Sequence, residues 1–598
     1  MVPAGRGRAG DDILGCPCAM ELRGKCQQKH EKGNQPRTFA QEHSTSSVLV
    51  SPSLPFLDAL CVLMLLARAT QAAPRRPGGL LARTKSTLTG RRKKVVILGS
   101  GWGGNRLARR LDQDIYDVTM VSPANHFLVT PLLPQTALGT LEFRNVQESV
   151  RTIKGIKYFQ AKARGLDWLQ QSVDCEECIS EHRPNGHKFS LNFDLLAIAT
   201  GCKTDTFNIP GVAEAEGREV HFLKHVSHAI GIRKRLNECF ERAAMPGISP
   251  SERSRLLSFV VVGGGPTSCE FTTELHDFLR ADASTWAYPE LAKDVRVTLV
   301  EAGARLMPAF DATLVTHMMQ RLVDRGVSVR VNTLVKALEE DAHGCTNVAV
   351  LGATAGGGEV ERLPFGLLVW SAGLQQVKFV QNMYSPSVEI QKDRTGRILV
   401  DDHMRVLVTE ASDDEAPTDD AEYSEWVMER AEAAGSTTLL GGRVYAIGDC
   451  AANETAPLPP TAQVAEQQAD YLAASLNQGL LRDVKPNAMV PLPEPLPPSS
   501  FPPIPSMFYS KSRGFQYVNR GSMSSAGIGD GLVDMTRIAR PDKDGKPASM
   551  RGPTLTGAMA FTAWHGYYFS KQYQSFNVLL NVVQSLKSRL FRRDISRF

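Results

Sequence analysis

Two glycine-rich turns stand where a backbone could receive a phosphate. The first reads GSGWGG and sets Gly99, Gly101 and Gly104 in a GxGxxG spacing. In such a turn the first glycine permits the tight bend and the second lets backbone approach a pyrophosphate. The third lets the following helix lie close to its strand, with the phosphates at the helix N-terminus. The second turn reads GGGPTS, with Gly263 and Gly265 in the first two places and Ser268 in the third. Serine is small enough to keep helix and strand close. A lone GxGxxG is a weak signal, because glycine-rich turns are common, so its weight depends on the elements around it.

Those elements are present on both sides. KKVVIL precedes the first turn, a helical pattern (Asn105 to Leu111) follows it, and a second β-branched strand runs over Tyr116 to Val121. The second turn sits between the strand in LLSFVVV and a helical stretch, followed by VRVTLVE, Val295 to Glu301. Two strand–turn–helix–strand units in one chain predict two dinucleotide-binding α/β domains. At the end of the first unit's second strand stands Ser122, so a ribose there would meet a hydroxyl or backbone. At the equivalent place in the second unit stands Glu301, whose carboxylate accepts bonds from a ribose 2′-OH and repels a 2′-phosphate, favouring NADH over NADPH. The alternative for Glu301 is an exposed strand-end charge, which its context disfavours.

Three further strands end in glycine turns: LLAIATG (Leu195 to Gly201, with Thr200 before its glycine), LLVWSAG (Leu367 to Gly373) and VYAIGDC, which carries Gly448 and Asp449. Each alone is a buried parallel strand running into a turn. In this order they fit an α/β fold of two Rossmann-like domains, an FAD domain split by an inserted NADH domain. In two-dinucleotide flavoproteins a late strand of this kind closes the FAD domain with its Asp at the ribityl–phosphate region, and the Gly448–Asp449 strand resembles it. The domain boundaries expected are 91–250 and 386–480 for the FAD domain and 251–385 for the NADH domain.

The chain has 598 residues, 42% hydrophobic and 22% charged, an ordinary composition for a folded protein of more than one core. Its net charge of +5 hides an asymmetry, for no Asp or Glu lies between Asp58 and Asp112. The remainder is near neutral and carries no nucleic-acid-binding signature, so no nucleic-acid partner is expected. Eleven cysteines form no framework. Cys175 and Cys178 with His182 and His187 match no common zinc spacing, so no metal site is expected.

Residues 1–90 read as a targeting segment. The apolar run Leu54 to Ala67 is short for a bilayer, and alone could be a signal-peptide core or an anchor; Arg68 to Lys94 is Arg-rich, hydroxyl-bearing and acid-free, the composition of an organellar transit peptide, which favours mitochondrial import. An acidic insertion near 410–440 lacks calcium-loop spacing, and 481–506 is a proline-rich linker. In the final region, 507–598, Phe576, Leu579, Leu580, Val583, Leu586 and Leu590 recur at helical spacing beside Lys587, Arg589, Arg592 and Arg593. That describes an interfacial helix on an anionic lipid bilayer surface, or one packed on the body or a second copy.

From Lys93 onward the chain resembles the type II NADH dehydrogenases, single-chain alternative NADH:quinone oxidoreductases. The most specific pieces are FLVTPLLPQTALGTLEFR (Phe127 to Arg144) and LPPTAQVAEQQADYLA (Leu458 to Ala473), with GSMSSAGIGDGLVD (Gly521 to Asp534) and LTGAMAFTAWHGYYFSK (Leu555 to Lys571) in support. The resemblance implies a monotopic, homodimeric enzyme of the mitochondrial inner membrane. It would bind FAD non-covalently, use NADH as co-substrate and quinone as acceptor, and pump no protons. It places the AQxAxQ residues Ala462, Gln463, Ala465 and Gln467 beside the flavin and the quinone pocket, with Gln463 and Gln467 one helical turn apart. Glu270 matches a glutamate near nicotinamide and flavin; an ordinary first-turn helix acid is an equal reading. Sulfide:quinone oxidoreductase is the enzymatic alternative, with Cys202, Cys269 and Cys450 near strand ends, and a redox-sensing flavoprotein is the non-enzymatic one. A disulfide reductase would need a cysteine pair after the first turn, and none lies between Cys61 and Cys175.

Overall fold

The computed structural model describes residues 91–179, 186–340, 346–354, 360–384, 388–410, 437–481, 514–541, 547–550 and 552–595. The targeting segment, nearly all of the acidic insertion and of the proline-rich linker, and His182 lie outside the described residues.

The first unit runs β1 (Lys93–Leu98), α1 (Trp102–Arg110), β2 (Tyr116–Ser122), β3 (Lys157–Asp167), β4 (Ser172–Glu177), β5 (Lys188–Asn192) and β6 (Leu195–Ile198). The chain leaves it through β7 (Cys202–Thr204) and builds β8 (Val220–Phe222), α2 (Val226–Ala243), β9 (Ser258–Val262), α3 (Pro266–Phe278), β10 (Arg296–Val300), β11 (Ser328–Arg330) and β12 (Leu367–Trp370). It returns through β13 (Leu374–Gln376) to β14 (Val444–Ala446) and α4 (Ala462–Asn477). The C-terminal region carries β15 (Ser522–Ser525), β16 (Gly531–Asp534), β17 (Thr554–Thr556), α5 (Ala558–Ser570) and α6 (Ser575–Leu590).

The first sheet has the order β14-β6-β1-β2-β3-β4-β5. Its first five strands are parallel, and β4 and β5 extend β3 as an antiparallel meander. The parallel strands read as continuous apolar runs because helices and loops cover both faces; Val95, Val96, Ile97 and Leu98 are all buried. The second sheet, β8-β12-β9-β10-β11, is parallel throughout. Its first strand and α2 come before residue 251, so the second sheet starts earlier in the chain than the sequence suggested. β8 is three residues long, too short for its pattern to announce a strand. On the way back, Phe379 and Val380 already lie in the first core, ahead of residue 386. The paired strands β7 and β13 form the two-stranded crossing between the units.

One hydrophobic core lies around the first sheet. Another joins one face of the second unit to the segment Phe127–Val146 and to Trp564 and Phe569 of α5. The TPLLP segment is thus a buried bridge between the two units and the C-terminal region.

Candidate functional site

Gly99, Thr200–Gly201 and Gly448–Asp449 follow β1, β6 and β14, three adjacent strands, at the carboxyl edge where open α/β sheets bind ligands. Gly99 has φ +110°, and a side chain there would run into the Ala199 carbonyl. A Cβ on Gly104 would strike the Gly99 carbonyl, which is the close helix–strand approach the third glycine serves. Gly101 faces open space and leads into α1, so the turn places backbone at a helix N-terminus where a phosphate could approach. Ser122 is buried and its hydroxyl lies 2.9 Å from that of Ser100, which also donates to the carbonyls of Ala124 and His126. Ser122 therefore braces the turn, alongside any contact with a ribose.

Sequence reading passed over Gln468. Its side-chain oxygen accepts the Gly448 N–H at 2.7 Å and fixes the turn that carries Asp449. Asp449 is approached from the crossing strands, with the Cys202 thiol donating to its carboxylate at 3.2 Å and the Gln376 amide to its carbonyl at 3.3 Å. Helix α4 is locked against α1 by Arg106, which meets both carboxylate oxygens of Asp470 at 2.8 Å.

The second turn repeats the geometry. Gly263 has φ +112°, Gly265 faces open space at the start of α3, and Ser268 is fully buried where α3 meets the sheet. Glu301 turns back over this site, accepting the Gly264 N–H and, at 2.5 Å, the Gly303 N–H. Its orientation is thereby set by the two turns. Gly373, with φ +71°, follows β12, the neighbour of β9.

Glu270 lies in α3, within 6% exposure, and faces the C-terminal region. Its Oε1 accepts the Ser525 N–H at 3.0 Å and the Trp564 indole N–H at 3.2 Å. Burial pushes the carboxyl up to about 8, against the opposing pull of Ser525, Ser524 and Trp564, and the charge of Glu274 adds to the rise. Glu270 is thus no ordinary first-turn acid in solvent.

The two motif glutamines both bond to the segment 517–521. Gln463 accepts the Arg520 N–H at 2.8 Å and the Tyr517 hydroxyl at 2.9 Å, and donates to the Gly521 carbonyl at 3.2 Å. Gln467 bonds both the N–H and the carbonyl of Val518 at 3.0 Å. Both amides hold residues 517–521 like rungs of a ladder. Ala462 opens α4, and the Gly448 turn rests against Ala465. On another side of α4, Lys571 and Glu466 form a buried ion pair at 2.6 Å.

Helix α6 packs on the body through a polar stripe. Asn577 and Asn581 donate to the Gln147 and Asn145 carbonyls at 3.2 and 3.0 Å, and Ser585 and Ser588 are buried beside them. Phe576, Leu579, Val583 and Leu590 face outward, 43–65% exposed. The sequence placed Arg589 and Arg593 among the lipid-facing cations, and the structure corrects this. Arg593 is buried in ion pairs with Glu274 and Asp282, and Arg589 lies over the Phe561 ring. No described helix is long and apolar enough to cross a membrane, and the described residues hold no metal-binding cluster.

Residues 93–412 match the family described as pyridine nucleotide-disulphide oxidoreductase. A Dictyostelium discoideum protein named probable NADH dehydrogenase is 33% identical over 509 residues, spanning 85% of this chain and 91% of its own. The external alternative NADH-ubiquinone oxidoreductase of Yarrowia lipolytica mitochondria is 32% identical across 85% of this chain and 81% of its own. A solved structure of NDH2 from Plasmodium falciparum in complex with NADH has a TM-score of 0.66 at 22% identity, covering 85% of this chain and all of that one; it shares the fold. The chain belongs to the alternative NADH:ubiquinone oxidoreductases, the type II NADH dehydrogenases, within the pyridine nucleotide-disulphide oxidoreductase family.

Proposed function

We propose that this chain is a non-proton-pumping NADH:quinone oxidoreductase, bound peripherally to the mitochondrial inner membrane and holding FAD non-covalently. The observation that carries the reading is the pair of glycine turns, at Gly101 and Gly265, each following a parallel strand of its own sheet in one chain. The names of its relatives and the acid-free, Arg-rich stretch ahead of β1 support the acceptor and the compartment.

FAD, when bound, accepts two electrons from a nicotinamide and releases them to a quinone. The residues of this chain bind, orient and supply protons. Gly99, Gly101 and Gly104 with the α1 N-terminus would hold the FAD pyrophosphate, with Ser122, Thr200–Gly201 and Gly448–Asp449 as the further residues of its site. Gly263, Gly265 and Ser268 would take the NADH pyrophosphate and Glu301 its ribose hydroxyls, while Gly373 ends the neighbouring strand packed against Phe207. Ala462 allows close approach at the head of α4, while Gln463 and Gln467 hold 517–521 as a wall of the acceptor pocket.

The overall change, NADH + H⁺ + quinone to NAD⁺ + quinol, consumes one proton from solvent. Glu270, with its carboxyl raised to about 8, stays mostly protonated near pH 7 and can hold that proton in its buried position. The outward apolar face of α6 rests on the lipid surface, through which quinone arrives. Two copies pair through the C-terminal region, which sedimentation in detergent tests.

The sulfide reading loses its chemistry here. Cys202, Cys269 and Cys450 are buried, and burial pushes all three thiols up, Cys202 to about 12, away from a nucleophilic thiolate. The deciding experiment is an anaerobic absorption spectrum of the purified, FAD-loaded protein. Bleaching by NADH and recovery on adding quinone are expected. A protein that neither binds FAD nor bleaches ends the proposal.

A further inference from the structure

Glu270 and Glu274 lie one turn apart on the same buried side of α3. Glu274 Oε1 receives the Thr140 hydroxyl and, at 2.8 Å, Arg593 Nη2. The same guanidinium donates from Nη1 to Asp282 Oδ2 at 2.7 Å and from Nε to Thr140 Oγ1 at 2.8 Å, while the Arg593 N–H meets Asp282 Oδ1 at 3.0 Å. Arg593 comes from the tail beyond α6, where Arg233 donates to the Asp594 carbonyl and Asn237 to that of Ile595 at 2.8 Å. One docked tail residue thus binds the TPLLP segment, α3 and the helical turn after it.

The groups around Glu270 are Ser524, Ser525, Trp564, Tyr568 and Cys269, none of them charged near neutrality, and Glu274. Around Glu274 stand Thr140, Arg593, Arg589, and Asp277, which Arg325 meets at 3.3 Å. The charge closest in sequence and helical position to Glu270 is therefore Glu274, and the group that offsets it is Arg593.

We propose that Arg593 is a positioning residue for the redox site, its docked charge balancing Glu274 and so setting how firmly Glu270 holds its proton. This rests on the reading of Glu270 as the proton-holding group. A charge about 6 Å away, at an effective dielectric near 20, moves a carboxyl by roughly two pH units. Partial compensation leaves an expected change of about one unit. The signs are opposite. Removing the Glu274 charge leaves the guanidinium and makes Glu270 easier to ionise; removing the Arg593 charge leaves two carboxylates and makes it harder.

The test follows the Glu270 proton in the FAD-loaded full chain by its carboxylic C=O infrared band, titrated over about pH 5 to 10 and assigned with Glu270→Gln. The pH profile of quinone turnover is recorded beside it. Glu274→Gln should lower the infrared midpoint by about one unit, Arg593→Gln raise it by about as much, and Arg593→Lys leave it in place. A merely structural role would move the two neutralising variants the same way or not at all, and either result overturns the proposal. If Arg593→Gln does not fold, an unmoved midpoint in Glu274→Gln is sufficient to overturn it. Opposite infrared shifts with an unmoved turnover profile uphold the coupling and reject Glu270's part in turnover instead.

Discussion

Glu270→Gln should make the protein more stable, and increasingly so as pH rises. The unfolded chain releases this proton near 4.5, whereas the folded chain keeps it until about 8. Between those values the folded state binds more protons than the unfolded one, so stability falls with rising pH and the loss is complete above the upper value. This is the reverse of an ion-paired acid, whose folded value lies low. A gap of 3.5 units at 1.36 kcal/mol each gives about 5 kcal/mol as a ceiling, before relaxation around the charge reduces it. Glutamine has no proton to lose and keeps an oxygen for the Ser525 and Trp564 N–H groups.

The assay is the apparent Tm of FAD-saturated wild type and variant over about pH 5 to 9, compared at each pH. Glu148 and Asp277 also have raised values, but they are present in both proteins and cancel in the difference. The gap should be small at the acid end, widen by several degrees through neutrality, and level off. The variant should also lose quinone turnover, because an amide cannot hand over a proton. A Tm difference that stays flat across the range would refute the buried, protonated carboxyl and everything built on it.

Glu301→Gln should relax NADH preference, raising the NADPH-to-NADH ratio of kcat/KM by about tenfold as charge repulsion disappears; an unchanged ratio removes Glu301 from the ribose site. Gln463→Ala releases Tyr517, Arg520 and Gly521, so stopped-flow should show quinone reduction slowed about tenfold or more, with flavin reduction by NADH little changed. Gln468→Leu leaves the Gly448 N–H without its acceptor and should weaken FAD retention by about tenfold, read by flavin release on dilution. Leu579→Glu with Val583→Glu should lower vesicle binding by about 100-fold while NADH oxidation by a water-soluble acceptor persists; unaltered co-sedimentation with vesicles places the membrane face elsewhere.

The parts of the site that are backbone events were readable in the sequence. Gly99 and Gly263 take positive φ beneath neighbouring carbonyls, so the requirement is written in the glycine itself, and the flanking β-branched runs supply the context. The parts that depend on contacts distant in the chain were not. Glu270 meets Ser525 and Trp564 across 255 and 294 residues, and Glu274 meets Arg593 across 319. No local pattern marks such partners. Gln463 and Gln467 were legible as one helix face but not in their occupation, because the segment they hold has no regular pattern to pair with them. Gln468 was hidden by its neighbour, since adjacent glutamines on a helix face differently and only one side could be argued from spacing. The apolar periodicity of α6 was correct, yet it could not reveal that Asn577, Asn581 and Ser585 form the seat and that Arg593 turns inward.

On the proposed function, an acceptor arriving from lipid would set a conflicting demand on the last region of this chain. It must present apolar surface outward, where an ordinary helix would be polar, and still be held to the body strongly enough to complete a buried site. The inversion in α6 answers both, with hydrogen-bonding Asn side chains inward and Phe576, Leu579 and Val583 outward. Val582 adds a buried apolar contact to this seat, but each of its hydrogen bonds contributes only about 1 kcal/mol net. The buried Arg593 cluster and the glutamine rungs on 517–521 add anchors at the two ends of the region. Both anchors involve α3 or α4, the helices that follow the second glycine turn and the Gly448 turn. Loosening the C-terminal region from the membrane side should therefore be felt at Glu270 before it is felt in the sheets, and infrared titration of the Leu579→Glu, Val583→Glu protein with and without vesicles measures whether it is.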